Sequence, residues 1–175
     1  MQGSSDVGVF GLGPMGENFA MNLLSRGFSV SVYNRTPERT RAFLEKAGSA
    51  TRLRGTYSLH EFASSLSRPR RIFLFVKAGK PVDEVIAQLR PHLEPGDVLL
   101  DCGNSHFRDS DRRYEELLRQ DIDFVGMGVS GGYEGALKGP SMMAGGSIRG
   151  YGSVEEVLRE AAARHHGDPC VSYFG

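Results

Sequence analysis

The sequence is poor in cysteine, has no surplus of either charge and contains no long hydrophobic run. Its two cysteines, Cys102 and Cys170, fit neither a disulfide framework nor a zinc site in number or spacing. We therefore expect a reducing, cytoplasmic setting. The 21 basic side chains balance the 21 acidic ones, which argues against a nucleic-acid or membrane-surface role, because both need a basic surplus.

No apolar run is long enough to span a membrane, and the chain does not open with a basic and then apolar signal segment. Residues 1–5 are instead predicted to form a loose polar tail. The five histidines lack the spacing of metal ligands, so no metal site is expected, and His165 and His166 are predicted to be a solvated loop pair. The 175 residues suffice for one domain with a sizeable core.

A glycine-rich turn lies near the start of the chain, between an apolar stretch at residues 7–10 and a helical segment. Gly11, Gly13 and Gly16 form a G-x-G-x-x-G pattern, and a second apolar stretch follows at residues 28–33. Strand, turn, helix and strand in this order are the context of a dinucleotide-binding fingerprint. A tight turn without a ligand is the alternative, since glycines also serve ordinary turns.

The residues after the second strand indicate which dinucleotide is bound. NAD sites place an acid about 20 residues beyond the glycines, where it holds the ribose 2′-hydroxyl. This chain has Asn34, Arg35 and Thr36 there, and a guanidinium can pair with a 2′-phosphate. We therefore predict NADP, although Glu38 lies close by. Thr36 and Pro37 also fit the start of the next helix, and both interpretations can hold together.

Predicted strands alternate with predicted helices along the whole chain. The strands are expected at residues 7–10, 30–33, 72–76, 98–101, 124–129, 142–144 and 170–174. Helices are expected from Pro81 and after capping boxes that begin at Ser58 and Ser153. Residues 108–119 are expected to form a charged, mostly exposed helix with Tyr114, Leu117 and Leu118 inward. This alternation predicts a single α/β domain of the Rossmann type, doubly wound, with a mostly parallel sheet covered by helices on both faces.

In such a sheet, ligands bind at the carboxyl ends of the strands. Five segments follow predicted strands, and all are rich in glycine or polar residues: 11–16, 34–36, 76–79, 103–105 and 130–132. We refer to the first as the glycine turn and to the last three as the 76–79, 103–105 and 130–132 loops. Together they predict one coherent site.

At these segments the chain resembles the N-terminal domain of the 6-phosphogluconate dehydrogenase family, the decarboxylating enzymes of the pentose phosphate pathway. The resemblance spans residues 6–175. Its more specific motifs are Val-Lys-Ala-Gly at 76–79, Gly-Asn-Ser at 103–105 and Gly-Val-Ser-Gly-Gly at 128–132. It implies an enzyme that oxidises 6-phosphogluconate with NADP and releases CO2 and ribulose 5-phosphate.

The resemblance also implies roles for individual residues. The cofactor would contact Gly11, Leu12, Gly13, Pro14, Met15, Gly16, Asn34, Arg35, Thr36, Val76, Lys77, Ala78 and Asn104. The substrate would contact Asn104, Ser130, Gly131 and Gly132.

Three positions beside these segments depart from the family pattern: Cys102 replaces a usual glycine, Tyr133 a glutamate and Ala144 a proline. The catalytic lysine and glutamate of the family lie beyond Gly175, on an all-helical domain, and neither Lys77 nor Lys138 matches them by motif. We therefore expect no catalytic residue in this chain, and NADP binding with little or no turnover.

Three other functions are compatible with parts of the sequence. A different β-hydroxyacid dehydrogenase, such as a 3-hydroxyisobutyrate type, would share the glycine turn. A hydrolase would use Ser130 of the G-x-S-x-G pattern, with Glu155 or Glu156 and with His165 or His166. A non-enzymatic NADP(H) sensor would need no acid–base pair.

The resemblance implies a homodimer held largely by the helical domain. The oligomeric state of this chain by itself stays open, and an apolar patch could face that domain. Met127, Met142, Met143 and Phe174 are candidates for the patch, although ordinary core positions are the alternative.

Overall fold

The computed structural model describes residues 4–175. Residues 1–3 of the predicted polar tail lie outside the described residues. The prediction of a loose tail is wrong at Ser5, which is buried and pairs with Leu66 in an isolated parallel bridge. Its hydroxyl accepts a hydrogen bond from the hydroxyl of Ser31 at 2.8 Å. A buried hydroxyl needs such a partner, so this residue belongs to the folded domain.

Strands and helices alternate along the described chain. The strands are β1 (Val7–Phe10), β2 (Val30–Tyr33), β3 (Leu53–Thr56), β4 (Arg71–Leu74), β5 (Val98–Asp101), β6 (Asp123–Ser130), β7 (Ser141–Gly146), β8 (Arg164–His165), β9 (Asp168–Pro169) and β10 (Val171–Tyr173). The helices are α1 (Pro14–Ser25), α2 (Pro37–Ala47), α3 (Leu59–Ser64), α4 (Lys80–Leu89), α5 (Phe107–Leu118), α6 (Gly132–Lys138) and α7 (Ile148–Ala161), with a short 3-10 helix at Arg90–His92.

Eight strands form one sheet in the order β10-β7-β6-β5-β4-β1-β2-β3. Neighbouring strands are parallel except for β6 and β7, which pair antiparallel. β8 and β9 form a separate two-stranded hairpin. The sheet order reverses about β1, because β2 lies on one side of β1 and β4 on the other. The predicted doubly wound, mostly parallel α/β fold is confirmed.

Helices cover both faces of this sheet. One buried cluster joins Val7 and Val9 of β1 to α1 and α7, and the other joins Phe10 to α3, α4 and α5. Alternation along each strand produces the two clusters, since successive side chains point to opposite faces. On β4, for example, Phe73 belongs to the first cluster and Ile72 to the second.

The structure corrects several predicted elements. Strand β3 was not predicted, because Arg54 and Gly55 interrupt any strand-like pattern in its sequence. Its parallel pairing with β2 identifies it as a strand. Helix α7 begins at Ile148, and its N-cap is Ser147, whose side chain accepts from the Gly150 N–H. The capping box predicted at Ser153 is therefore wrong, since Ser153 lies inside this helix.

Two further predictions concern helix faces and caps. Leu118 is 48% exposed, so its predicted inward position on α5 is wrong, while the neighbouring Leu117 is buried. The capping box at Ser58 is confirmed at the N-cap, where the hydroxyl accepts from the Glu61 N–H at 3.1 Å. The Glu61 carboxylate reaches back to the N–H of Tyr57 rather than to that of Ser58.

Gly8 of β1 provides a test of the packing between the sheet and α3. A Cβ at this position would lie 2.7 Å from Cζ of Phe62 and 3.0 Å from Cδ1 of Leu66. We expect Gly8→Ala to lower the free energy of unfolding by about 1–3 kcal/mol, measured by urea denaturation, because the ring is buried and must shift.

Gly152→Ala is the matched control, because Gly152 lies within α7 and a Cβ there meets nothing within 4 Å. It should leave stability unchanged or raise it by about 0.5–1 kcal/mol, since alanine is the better helix former. Equal stability of Gly8→Ala and the parent chain would contradict the packing described here.

Candidate functional site

The three glycines of the glycine turn serve different purposes. Gly11 has φ +99°, and a Cβ there would lie 2.3 Å from the carbonyl oxygen of Phe75. A Cβ on Gly16 would lie 1.9 Å from the carbonyl oxygen of Gly11, so this glycine lets α1 approach β1. Gly13 is the N-cap of α1, and a Cβ there would meet nothing within 4 Å. The open space over Gly13 is therefore free for a ligand that approaches the helix N-terminus.

Asn34 holds the glycine turn in place. Its Oδ1 accepts from the Leu12 N–H at 3.0 Å, and its Nδ2 donates to the Thr36 carbonyl oxygen at 3.2 Å. The Leu12 side chain is fully buried. Arg39 Nη1 donates to the Leu12 carbonyl oxygen at 3.3 Å. The Asn34 side chain thus ties the end of β2 to the turn that follows β1.

A cleft of about 400 Å³ lies beside this turn. Its lining includes residues from three of the predicted segments: Gly11, Gly13, Asn34, Arg35, Thr36, Val76 and Lys77. Arg39 also lines it, as does Glu84. No sequence pattern indicated Arg39 as a site residue, although it lies in the first turn of α2, three residues after Thr36. Glu38 does not line the cleft and pairs with Arg41 at 3.4 Å.

Thr36 occupies the predicted N-cap of α2, and Pro37 is the first residue of that helix. The Thr36 side chain makes no capping hydrogen bond. Thr36 is exposed and lines the same cleft as Arg35. The arrangement is compatible with both interpretations of this segment, the helix start and the ligand contact.

The 76–79 and 103–105 loops lie against one another. A Cβ on Gly103 would lie 2.6 Å from the carbonyl oxygen of Val76, so only glycine permits this contact. Asp101 at the end of β5 accepts from the Gly103 N–H at 3.0 Å and from the Ser105 hydroxyl at 2.6 Å. Buried Arg113 donates to the same carboxylate at 3.0 Å. The sequence did not indicate this residue, because α5 was predicted to be a mostly exposed helix.

Asn104 connects the 103–105 loop to the end of β6. It adopts a left-handed conformation with φ +55°, which asparagine tolerates better than most residues. Its Oδ1 accepts from the Val129 N–H at 2.8 Å, and its Nδ2 lies 3.4 Å from the Val129 carbonyl oxygen. The 130–132 loop follows directly, with Ser130, Gly131 and Gly132 all exposed. The structure thus brings these two loops together at the carboxyl edge of the sheet.

A second pocket of about 510 Å³ begins at Asn104 and extends over β6 and β7. Phe107, Tyr114 and Met127 line it together with glycines of both strands. The predicted apolar patch is divided: Met127 and Met142 are buried, whereas Met143 is 41% exposed and Phe174 is 74% exposed. Met127 and Met142 are therefore ordinary core residues, whereas Met143 and Phe174 are not.

Cys102 lies directly before the 103–105 loop. Its side chain packs into the first core cluster, and burial raises the pKa of the Cys102 thiol well above its usual range, with a smaller contribution from the negative charge of Asp101. A protonated thiol is a poor nucleophile. Cys102 therefore acts as a small packing residue beneath the loop. Both cysteines are free thiols.

The alternative of a hydrolase finds no support in the geometry. His165 and His166 lie in the β8–β9 hairpin, where the centroids of their two rings are 4.2 Å apart. Within residues 4–175, no hydrogen bond joins either ring to Ser130. The arrangement does not provide the base that would activate this serine.

Over the described range, no three His, Cys, Asp or Glu side chains gather in a way that could hold a metal ion. None of the helices in residues 4–175 combines the length and apolar character needed to cross a membrane.

Comparison with known proteins identifies the family. The sequence model of the NAD binding domain of 6-phosphogluconate dehydrogenase matches residues 6–175. The chain belongs to this family. It is 50% identical over 171 residues to the decarboxylating 6-phosphogluconate dehydrogenase of Chlamydia muridarum, covering 98% of the chain and 36% of that relative. An NADP(+)-dependent, decarboxylating relative from Bacillus subtilis is 50% identical over 169 residues, with 97% and 36% covered.

Solved structures support the same family. A Plasmodium falciparum 6-phosphogluconate dehydrogenase, described in its apo form and in complexes with NADP+ and with 6-phosphogluconate, superposes with a TM-score of 0.92 at 40% identity. The match covers 97% of this chain and 37% of that one. A 3-hydroxyisobutyrate dehydrogenase from Salmonella typhimurium gives a TM-score of 0.76 at 22% identity, covering 92% and 55%, which shows a shared fold. The chain thus spans little more than a third of the 6-phosphogluconate dehydrogenases it matches.

The two thiols should differ in reactivity. Cys102 is buried and Cys170 is partly exposed, so an aromatic disulfide reagent at mildly alkaline pH should modify Cys170 quickly and Cys102 only after denaturation. Absorbance of the released thiolate counts the reacting groups. Cys170→Ser is the control and should abolish the fast phase. Rapid reaction of both thiols in the folded chain would contradict the burial of Cys102.

Proposed function

We propose that this chain is the NADP-binding domain of a decarboxylating 6-phosphogluconate dehydrogenase. The observation that carries the proposal is the open space over Gly13, at the N-terminus of α1, in a cleft that also contains Arg35 and Arg39. The helix N-terminus offers backbone N–H groups and a partial positive charge to a pyrophosphate. We assign the guanidinium groups of Arg35 and Arg39, which line this cleft, to the 2′-phosphate of the adenosine ribose.

The choice of NADP over NAD rests on the end of β2. An NAD site would have a carboxylate there to accept from the ribose 2′-hydroxyl. In this chain the position holds Asn34, whose side chain already binds the glycine turn, followed by the exposed Arg35. Arginine can hold a phosphate through two parallel charge-assisted hydrogen bonds. The matching relative from Bacillus subtilis, which is named NADP(+)-dependent, supports this choice.

The substrate proposal uses the loops farther along the sheet edge. We assign Ser130, Gly131 and Gly132 to 6-phosphogluconate, and the 76–79 loop, through Val76, Lys77 and Ala78, to the cofactor. Asn104 is assigned to both ligands, to the substrate and to the nicotinamide ribose of the cofactor. The Ser130 hydroxyl can donate to a carboxylate, and the glycine amides allow it a close approach. The bound cofactor supplies the acceptor for the hydride removed from the sugar acid, and the chain's own residues orient the two ligands.

The full reaction requires more than these 175 residues. Oxidation of a hydroxyl followed by decarboxylation needs a positioned acid and base. In line with the resemblance to the family, we propose that a further all-helical domain supplies both of them and also forms a homodimer. The corresponding whole protein would act in the pentose phosphate pathway, in the cytoplasm, where its two free thiols would stay reduced.

The first test is calorimetric titration of this chain with NADP and, separately, with NAD. The parent chain should bind NADP more tightly than NAD. Arg35→Ala should weaken NADP binding by about 10- to 100-fold, the usual effect of losing a hydrogen bond to a charged group. Its affinity for NAD should hardly change, because NAD has no 2′-phosphate.

Arg41→Gln is the matched control. Arg41 is another exposed arginine and belongs to α2, but it pairs with Glu38 and does not line the cleft. This variant should bind both dinucleotides as the parent chain does. Equal affinity of the parent chain for NADP and NAD would remove Arg35 from its proposed role.

A second test uses Gly13, whose missing side chain serves no internal contact. Because its φ is −83° and a Cβ there meets nothing within 4 Å, Gly13→Ala should change the unfolding free energy by no more than about 0.5 kcal/mol. The added methyl group would occupy the space of the pyrophosphate. Calorimetry should therefore show at least about tenfold weaker NADP binding, a loss of about 1.4 kcal/mol.

Gly152→Ala is again the control, since it adds the same methyl group far from the cleft, and it should leave NADP binding unchanged. Undiminished binding by Gly13→Ala would place the dinucleotide elsewhere and would contradict the proposed site.

A further inference from the structure

Arg113 has the largest fully buried side chain of residues 4–175. It belongs to α5 and exposes only 1% of its side chain. A buried guanidinium is costly unless its donors are paired. Each of its three nitrogens has a partner in the structure, and these partners come from different parts of the carboxyl edge of the sheet.

One side of the guanidinium holds the 103–105 loop. Nη1 donates to Oδ2 of Asp101 at 3.0 Å and to Oγ of Ser105 at 3.0 Å. The same carboxylate accepts from the Gly103 N–H through its other oxygen. Both ends of the loop that carries Asn104 are thereby fixed to the end of β5.

The other side of the guanidinium holds the 76–79 loop and the helix that follows it. Nη2 donates to the carbonyl oxygen of Gly79 at 3.0 Å, and Nε donates to Oδ1 of Asp83 in the first turn of α4 at 2.8 Å. The side-chain hydrogen bond from Arg113 is the largest cause that lowers the pKa of Asp83. This carboxylate therefore stays ionised at neutral pH.

We propose that Arg113 is a positioning residue, which fixes the 76–79 loop and the 103–105 loop relative to each other so that they bind the cofactor as one preformed surface. This inference rests on the proposed function. Arg113 does not line the cleft beside the glycine turn, so it acts through the loops and not by contact with a ligand. Preformed loops bind more tightly because less conformational freedom is lost on binding.

The location of Arg113 makes the proposal specific to one half of the dinucleotide. Of the two loops that it joins, the 103–105 loop carries Asn104, which is assigned to the nicotinamide ribose, and the 76–79 loop lines the cleft through Val76 and Lys77. The glycine turn and Arg35, assigned to the pyrophosphate and the adenosine side, share no hydrogen bond with Arg113. Losing the arginine should therefore affect the two halves of the ligand differently.

The test compares NADP with adenosine 2′,5′-bisphosphate, which has the adenosine end and no nicotinamide. Arg113→Lys keeps the charge, but a single ammonium group cannot span Asp101, Asp83 and Gly79 as the planar fork does. We expect about tenfold weaker NADP binding and a smaller loss of affinity for the bisphosphate, because Val76 and Lys77 of the 76–79 loop also line the cleft beside the glycine turn. The nicotinamide emission of bound NADPH should also fall toward that of the free cofactor, and no tryptophan is present to obscure it.

Arg112→Lys is the matched control. Arg112 is the neighbouring arginine of α5, and it also contacts Asp83, at 2.9 Å, but 44% of its side chain is exposed and it touches neither loop. It should behave as the parent chain with both ligands. Circular dichroism and thermal melting establish that each variant is folded before its affinities are compared.

Asp83→Asn provides a second variant that leaves Arg113 in place. It removes only the charge of one partner, and it should produce a smaller loss of the same selective kind. If Arg113→Lys does not fold, Asp83→Asn provides the test instead. Equal losses for both ligands, or no loss for either in the folded variants, would overturn the positioning role. Failure of the parent chain to bind NADP would instead overturn the proposed function.

Discussion

The parallel pairing of β1 with β2 on one side and β4 on the other is the constraint on which the site depends. Parallel strands end at the same edge, so the segments that follow them converge. The direction of the sheet order also changes at β1, which opens a crevice between the segments after β2 and after β4. The glycine turn lies at this point, and its cleft is lined from both sides.

Glycine at a few positions makes the convergence possible. Gly16 allows α1 to start against the carbonyl of Gly11, and Gly11 in turn allows the turn to lie against Phe75. Gly103 does the same between the loops after β4 and β5. At each of these positions a Cβ would come closer than 3 Å to a backbone oxygen. By contrast, Gly13 has open space before it, and that difference separates packing glycines from a glycine available to a ligand.

Polar side chains then connect segments that only the sheet brings near each other. Asn34 joins the ends of β1 and β2, Asn104 joins the ends of β5 and β6, and Arg113 joins the loops after β4 and β5. Arg113 alone of the three is buried, and each of its nitrogens has a hydrogen-bond partner. A buried polar group with such partners favours a single arrangement, because any other would leave its donors unpaired. The carboxyl edge is thus a connected surface rather than a group of separate loops.

The sequence by itself determined the fold class, the glycine turn and the segments that form the site, because those features depend on local pattern and on the general geometry of parallel sheets. It did not reveal β3, whose residues have little strand preference and which exists through pairing with β2. Nor did it reveal that Arg113 is buried, since the charged pattern of α5 predicted an exposed helix. Only the tertiary structure decided that Arg113 pairs with Asp101 and Asp83, 12 and 30 residues away in sequence, because such partners meet only after the sheet has formed.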